Sequence, residues 1–180
     1  STYYAGLFAD VGILTLGALS VYIILATGQL SLGNGGFMGI GAYVASYLTV
    51  ALHWPVTPAL LVAGLVAAVV GVIVGFPALR LKGIYLAIAT LGFGEMVRSF
   101  FLVFEPTGGS GGYRGMPHIS ISYIWVWAGA IVLLVLALER SRLWLEMRAV
   151  HDDETAANLV GLNTTVIKIG AFGLGAAVAA

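Results

Sequence analysis

An all-α fold, a polytopic bundle of transmembrane helices, is what the sequence predicts, on three observations. Only 9% of the 180 residues are charged and 60% are hydrophobic, with a mean hydropathy of +1.02. An ordinary soluble domain carries about 25% charged residues, and one of this size could not cover so much apolar surface. The apolar residues also fall in stretches of about 20, the length at which a helix crosses a bilayer. Finally, glycine recurs inside those stretches in small-x-x-x-small pairs, Gly71/Gly75, Gly64/Ala68, Gly35/Gly39 and Gly41/Ala45. In lipid, where no hydrophobic drive brings helices together, such pairs allow close backbone packing.

The spans follow in order, over residues 7–27, 35–52, 58–79, 83–104, 121–138 and 166–180. The first carries Asp10 near its start and gives way to the polar stretch Gly28–Asn34. His53-Trp54-Pro55 ends the second, with Trp54 as an interfacial anchor. Pro77 should kink or end the third, and Arg80 and Lys82 close it. Glu95 and Arg98 lie within the fourth, and a Gly-rich loop, 105–120, separates it from the fifth. Residues 139–165 are polar and charged, and the sixth span is short of full crossing length. With Ser1 first and an apolar run last, the sequence reads as a fragment of a longer protein, a short re-entrant last segment being the alternative.

Basic residues set the expected orientation. Loops alternate sides, and one side holds 28–34, 80–82 and 139–165, with Arg80, Lys82, Arg140, Arg142, Arg148 and, just inside the next span, Lys168. The other side, with 53–57 and 105–120, has only Arg114. Six against one places the basic side in the cytoplasm.

Three places carry candidate chemistry. Gln29, Ser31 and Asn34 sit among glycines between the first two spans; broken helix at membrane depth can supply substrate contacts or gates, and a plain cytoplasmic turn is the alternative. Glu95 and Arg98, three apart, share a helix face and can pair. An ionisable residue in a span is costly and is expected against the bundle interior or a pathway. A translocation path, a proton relay and an ion pair that fixes helix register all fit. No second acidic residue lies deep in another span, which weakens the relay.

The third place is 139–165. Asp152, Asp153 and Glu154 suit a helix start, and Gly161 suits its stop, predicting a short helix from Asp152 to Val160 with Ala156, Ala157 and Val160 as its apolar face. Three consecutive acids would be repelled by an anionic inner leaflet, so a protein partner is expected there. A weak parallel repeat also aligns 38–46 with 91–99.

Several chemistries are excluded. Eight basic and eight acidic residues cancel, so no global field draws the chain to nucleic acid. Without cysteine there is no disulfide, thiolate metal site or cysteine nucleophile. No P-loop or His-Glu-x-x-His occurs, and the three histidines lie in different loops, so no metal site is expected. Gly108-Gly109-Ser110-Gly111-Gly112 fits a nucleophile elbow only by its letters, because no strand precedes it.

Four stretches match a known family. They are Gly28-Gln29-Leu30-Ser31-Leu32-Gly33 with Gly39-Ile40-Gly41-Ala42-Tyr43; the run from Leu79 through Ile84-Tyr85 and Thr90 to Glu95; Thr107–Gly112; and Arg148-Ala149-Val150 through Asp153-Glu154, Ala156-Ala157 and Gly161. In these the chain resembles the membrane-spanning permease subunits of bacterial ABC importers for branched-chain amino acids. The resemblance implies the M-type member of a permease heterodimer in the bacterial inner membrane. Two cytoplasmic ATPase subunits would drive it, and a periplasmic binding protein would deliver the amino acid. ATP would bind the partners, leaving this subunit with no cofactor and no enzymatic site.

By the same resemblance, Arg148, Asp153, Glu154, Ala157 and Gly161 would belong to the ATPase-coupling segment. Gln29, Ser31, Asn34 and Glu95 would lie at core positions; the match assigns them no role, and they stand as the candidates for a translocation path or substrate contact on the residue argument above. Asn34 stands where many members carry histidine, and members are longer than this chain. A urea or short-chain amide importer shares these motifs, and an ion-coupled secondary transporter using Glu95 is a reading from a different class.

Overall fold

A helix lets each apolar stretch of this chain satisfy its backbone within itself in an apolar medium. The computed structural model describes residues 2–78, 80–81, 83–104 and 119–180. In chain order the helices are α1 (Thr2–Leu25), α2 (Asn34–Val50), α3 (Val56–Ala78), α4 (Ile84–Val103), α5 (Ile121–Glu139), α6 (Arg142–Asp152), α7 (Glu154–Leu159) and α8 (Thr164–Ala179). Four of them, α1, α3, α4 and α5, are long and apolar enough to cross a membrane. Two expected spans are shorter than that: α2 has 17 residues and α8 has 16. The second expected span loses its end at Ala51, where the chain turns through His53 at φ 53° into Pro55. Pro77 lies in the last turn of α3, one residue before the helix ends at Ala78.

The core forms where α8 packs against α1, α2 and α3. One side of α3 is a ladder of buried small residues, Ala59, Ala63, Ala67, Gly71 and Gly75, four apart and therefore on one face. A β-carbon on Gly71 would lie 2.6 Å from Ala176 Cβ and 2.9 Å from the Phe172 carbonyl oxygen. From the other side, a β-carbon on Gly173 would lie 2.9 Å from Val72 Cγ2, and one on Gly175 would lie 2.5 Å from Ile24 Cγ1. Gly41 of α2 meets Ala180 just as closely. Phe172, Ile24 and Phe37 fill the space between these contacts.

The remaining helices pack at the edges. α4 lies against α2, burying Leu86, Thr90 and Val97. Of the expected small-residue pairs on α2, Gly35 faces open space, and Gly36 instead meets Gly94 of α4. The helices of the proposed repeat are thus neighbours, but their matched glycines are not equivalent, Gly41 meeting Ala180 and Gly94 meeting Gly36. α5 packs on α1 and α6, with Ile124 against Gly12.

Connections collect at two opposite ends. Thr27–Gln29, Leu81, Gly83, Val150, His151, Glu154 and Lys168 surround one cavity. At the other end Thr57 and Tyr123 are joined by a 3.0 Å hydrogen bond between their hydroxyls. Residues 105–118 of the Gly-rich loop, with Arg114, Thr107–Gly112 and the nucleophile-elbow look-alike, lie outside the described residues, as do Leu79 and Lys82.

Candidate functional site

Between α1 and α2 the chain leaves helical geometry at Gly28, whose φ of 74° needs a residue without a β-carbon. Its backbone and side-chain groups then bond within the protein. The Thr27 hydroxyl lies 2.8 Å from the Ile24 carbonyl oxygen and 3.1 Å from Gln29 Oε1. The Leu32 N–H donates to Thr90 Oγ1 at 2.9 Å, and the Gly33 N–H donates to Ser31 Oγ at 3.3 Å. Asn34 Nδ2 donates to Ser20 Oγ. Ser20, Thr27, Gln29, Ser31, Asn34 and Thr90 are all buried. Among the described residues Asn34 Oδ1 is the buried side-chain acceptor that has no partner.

Gln29, Ser31 and Asn34 therefore belong to one buried polar cluster, completed by Ser20, Thr27 and Thr90. Sequence reasoning assigned those three no role. Thr90 alone had a signal, as a polar residue within the motif run of the fourth span.

Glu95 is not in that cluster. The face of α4 that packs on α2 is centred near Thr90, and at 100° per residue Glu95 lies roughly 140° around the helix from it. Glu95 Oε2 is 3.5 Å from Arg98 Nη1, with the side chains 63% and 72% exposed, so the expected pair forms on the outer face of this chain. Its place is not the interior of these helices. The four residues assigned to a translocation path are thus split between a closed cluster and an open helix face.

Residues 139–165 hold more structure than one short helix. α6 was not foreseen; it forms because Trp144, Met147 and Val150, three apart, bury one face of an otherwise polar helix. The expected helix from Asp152 to Val160 is α7, shorter at both ends, because Asp153 is its cap rather than part of it. Asp153 Oδ1 accepts from the Thr155 and Ala156 N–H groups at 2.8 and 3.0 Å. At the far end Gly161 takes φ 92°, Leu162 N–H donates to the Ala157 carbonyl and Gly161 N–H to that of Asn158. This pair of bonds closes the last turn as a Schellman motif.

The faces of α7 are divided. Ala157, expected on the partner face, is buried. Leu159 and Val160 are 84% and 83% exposed and form the apolar tip. Arg148 lies further back on α6, lining an open cavity of about 440 Å³ with Tyr22, Trp144 and His151. Lys168 Nζ, from the first turns of α8, reaches Glu154 Oε1 at 2.6 Å. His151 Nδ1 lies 3.2 Å from the Leu25 carbonyl oxygen at the end of α1.

Apolar helices long enough to span a bilayer, packed through small residues and carrying a structured element on one end, define a multi-pass membrane protein. The chain belongs to the family described as the branched-chain amino acid transport system / permease component, whose profile matches residues 3–180. Two curated relatives are the high-affinity branched-chain amino acid transport system permease proteins LivM of Salmonella typhimurium LT2 and of Escherichia coli K12. Each is 34% identical over 215 residues, covering 94% of this chain and 50% of the relative. The chain thus spans about half the length of these relatives. No solved structure matches it significantly.

Proposed function

We propose that this chain is the membrane core of a permease subunit in an ATP-driven importer that carries branched-chain amino acids across the bacterial inner membrane. The observation that carries this reading is α7. It is a capped helix, tied down on one side, that presents Leu159 and Val160 outward from the end where the basic residues collect. An exposed apolar tip on a helix whose start carries Asp152, Asp153 and Glu154 suits docking to a protein partner better than rest on an anionic lipid surface. Family membership supplies the class of transport.

In this reading the end with 28–34, 80–82 and 139–165 is cytoplasmic, and 53–57 and 105–120 are periplasmic. Two ATPase subunits bind ATP and dock at Arg148–Gly161, while a second permease subunit lies alongside in the membrane. A periplasmic binding protein delivers substrate at the opposite end. The permease itself performs no enzymatic step. Gln29, Ser31 and Asn34 brace the cytoplasmic mouth of the path. Glu95 and Arg98 face the path or the second permease, because an ion pair on a spanning helix is costly against lipid.

The test is a pull-down of the tagged full-length protein from detergent-solubilised membranes. Recovery of two ATPase subunits and a second permease is expected. Recovery of the chain alone, with uptake abolished by proton uncouplers at constant ATP, would overturn the proposal in favour of ion coupling through Glu95.

A further inference from the structure

Two ion pairs differ sharply in setting. Glu95–Arg98 is long, at 3.5 Å, and well exposed. Lys168–Glu154 is short, at 2.6 Å, and the Lys168 side chain is only 14% exposed, with Glu154 at 37%. The first joins neighbours on one helix, and the second joins α7 to α8. A charge-assisted bond of this length, with its ammonium largely withdrawn from water and its carboxylate partly so, resists separation more than a pair exposed on both sides does. Glu154 also lies in the first turn of α7, where the helix dipole favours a carboxylate. Its charge is turned inward, toward the permease's own helix.

Among the described residues, Lys168 stands on a helix held on several sides, α8 packing against α1, α2, α3, α6 and α7. One turn further on, Phe172 is fully buried and meets Gly75 of α3. Beyond it come the contacts of Ala176 with Gly71, Gly175 with Ile24 of α1, and Ala180 with Gly41 of α2. Close-packed interfaces of this kind transmit displacement because they have no slack to absorb it. Two further ties support α7 on the same side: Thr164 Oγ1 donates to Asn158 Oδ1 at 3.3 Å, and Ala157 is buried.

We propose that Glu154 and Lys168 form an internal strut, which carries movement of α7 into α8 and through it into α1, α2 and α3, and that Glu154 is not a docking contact for an ATPase. Both are positioning residues. The proposal rests on the reading of α7 as the ATPase-coupling helix and adds which of its residues face inward.

The experiment uses the complete transporter in proteoliposomes, with amino acid moved per ATP hydrolysed as the readout and ATPase subunits retained on purification as the control. Lys168→Met, Lys168→Glu and Glu154→Lys should each retain the ATPase subunits and lower the ratio severalfold. Lys168→Arg should stay near the unsubstituted ratio. The swap of Lys168→Glu with Glu154→Lys should recover most of the loss, which a residue that merely touched a partner would not do.

An unchanged ratio in Lys168→Met would overturn the proposal, as would a swap no better than either single change. A lower thermal stability with a normal ratio in the folded fraction would make the pair structural only. Loss of the ATPase subunits in Glu154→Lys but not in Lys168→Glu would make Glu154 a docking contact. If the unsubstituted protein holds no ATPase subunits at all, the functional reading beneath the proposal has failed first.

Discussion

At the residue scale, the glycines fall into two kinds that the sequence does not distinguish. Gly71 lies where a β-carbon would strike Ala176 and the Phe172 carbonyl, whereas Gly129 has nothing within 4 Å. Gly71→Ala must push α3 and α8 apart and should cost about 1–3 kcal/mol. Gly129→Ala, on an open face in the interior of α5, should instead stabilise by about 0.5–1 kcal/mol, the helix-propensity gain of alanine over glycine. Thermal unfolding in detergent measures both, and equal stabilities would contradict the packing of α8 described above. Asn34 shows the same limit for polar residues. Its place beside glycines marks a helix break, but its Ser20 partner is 14 positions away in sequence, beyond any local pattern.

At the element scale, α7 is the piece whose boundaries depend on single side chains. Asp153 caps two N–H groups, so Asp153→Ala should destabilise this short helix by about 1 kcal/mol, whereas Asp153→Asn keeps an acceptor and most of the cap. Hydrogen exchange should quicken over residues 155–160 in the first variant only. Equal exchange in both would mean that burial of Ala157 and the Lys168 tie hold the helix without its cap. The stop at Gly161 was legible because a left-handed residue after a helix is so commonly glycine. α6 was not, since its apolar stripe of Trp144, Met147 and Val150 is thin and the segment's polar composition hides it. The ladder from Ala59 to Gly75 was legible in principle: its spacing of four is regular, and only the two glycines at its end drew notice.

At the scale of the whole molecule, the proposed topology makes a prediction about sidedness. The 180 residues contain no cysteine, so an introduced thiol within them can be read without background from this segment. An impermeant thiol reagent should label Thr57→Cys in the outer membrane-permeabilised cell, and Ser141→Cys only once the inner membrane is opened. The reverse pattern would invert the topology and remove the ATPase from α7. Both positions lie at opposite ends of the helices, beside Tyr123 and Leu138 respectively.

The sequence by itself determined the class of fold and marked the break between the first two helices that begins at Gly28. It also marked the end of α7 and the gathering of basic charge. These follow from properties local to the chain: hydropathy over about 20 residues, the freedom of glycine and the alternation of loops across a bilayer. Tertiary structure alone decided that α8 is the centre of the core, that Gln29, Ser31 and Asn34 turn inward while Glu95 turns outward, and that Glu154 reaches back to Lys168. Each of these depends on which helix faces which. In an apolar solvent that choice is made by the fit of small residues between distant segments, and spacing along one segment does not encode it.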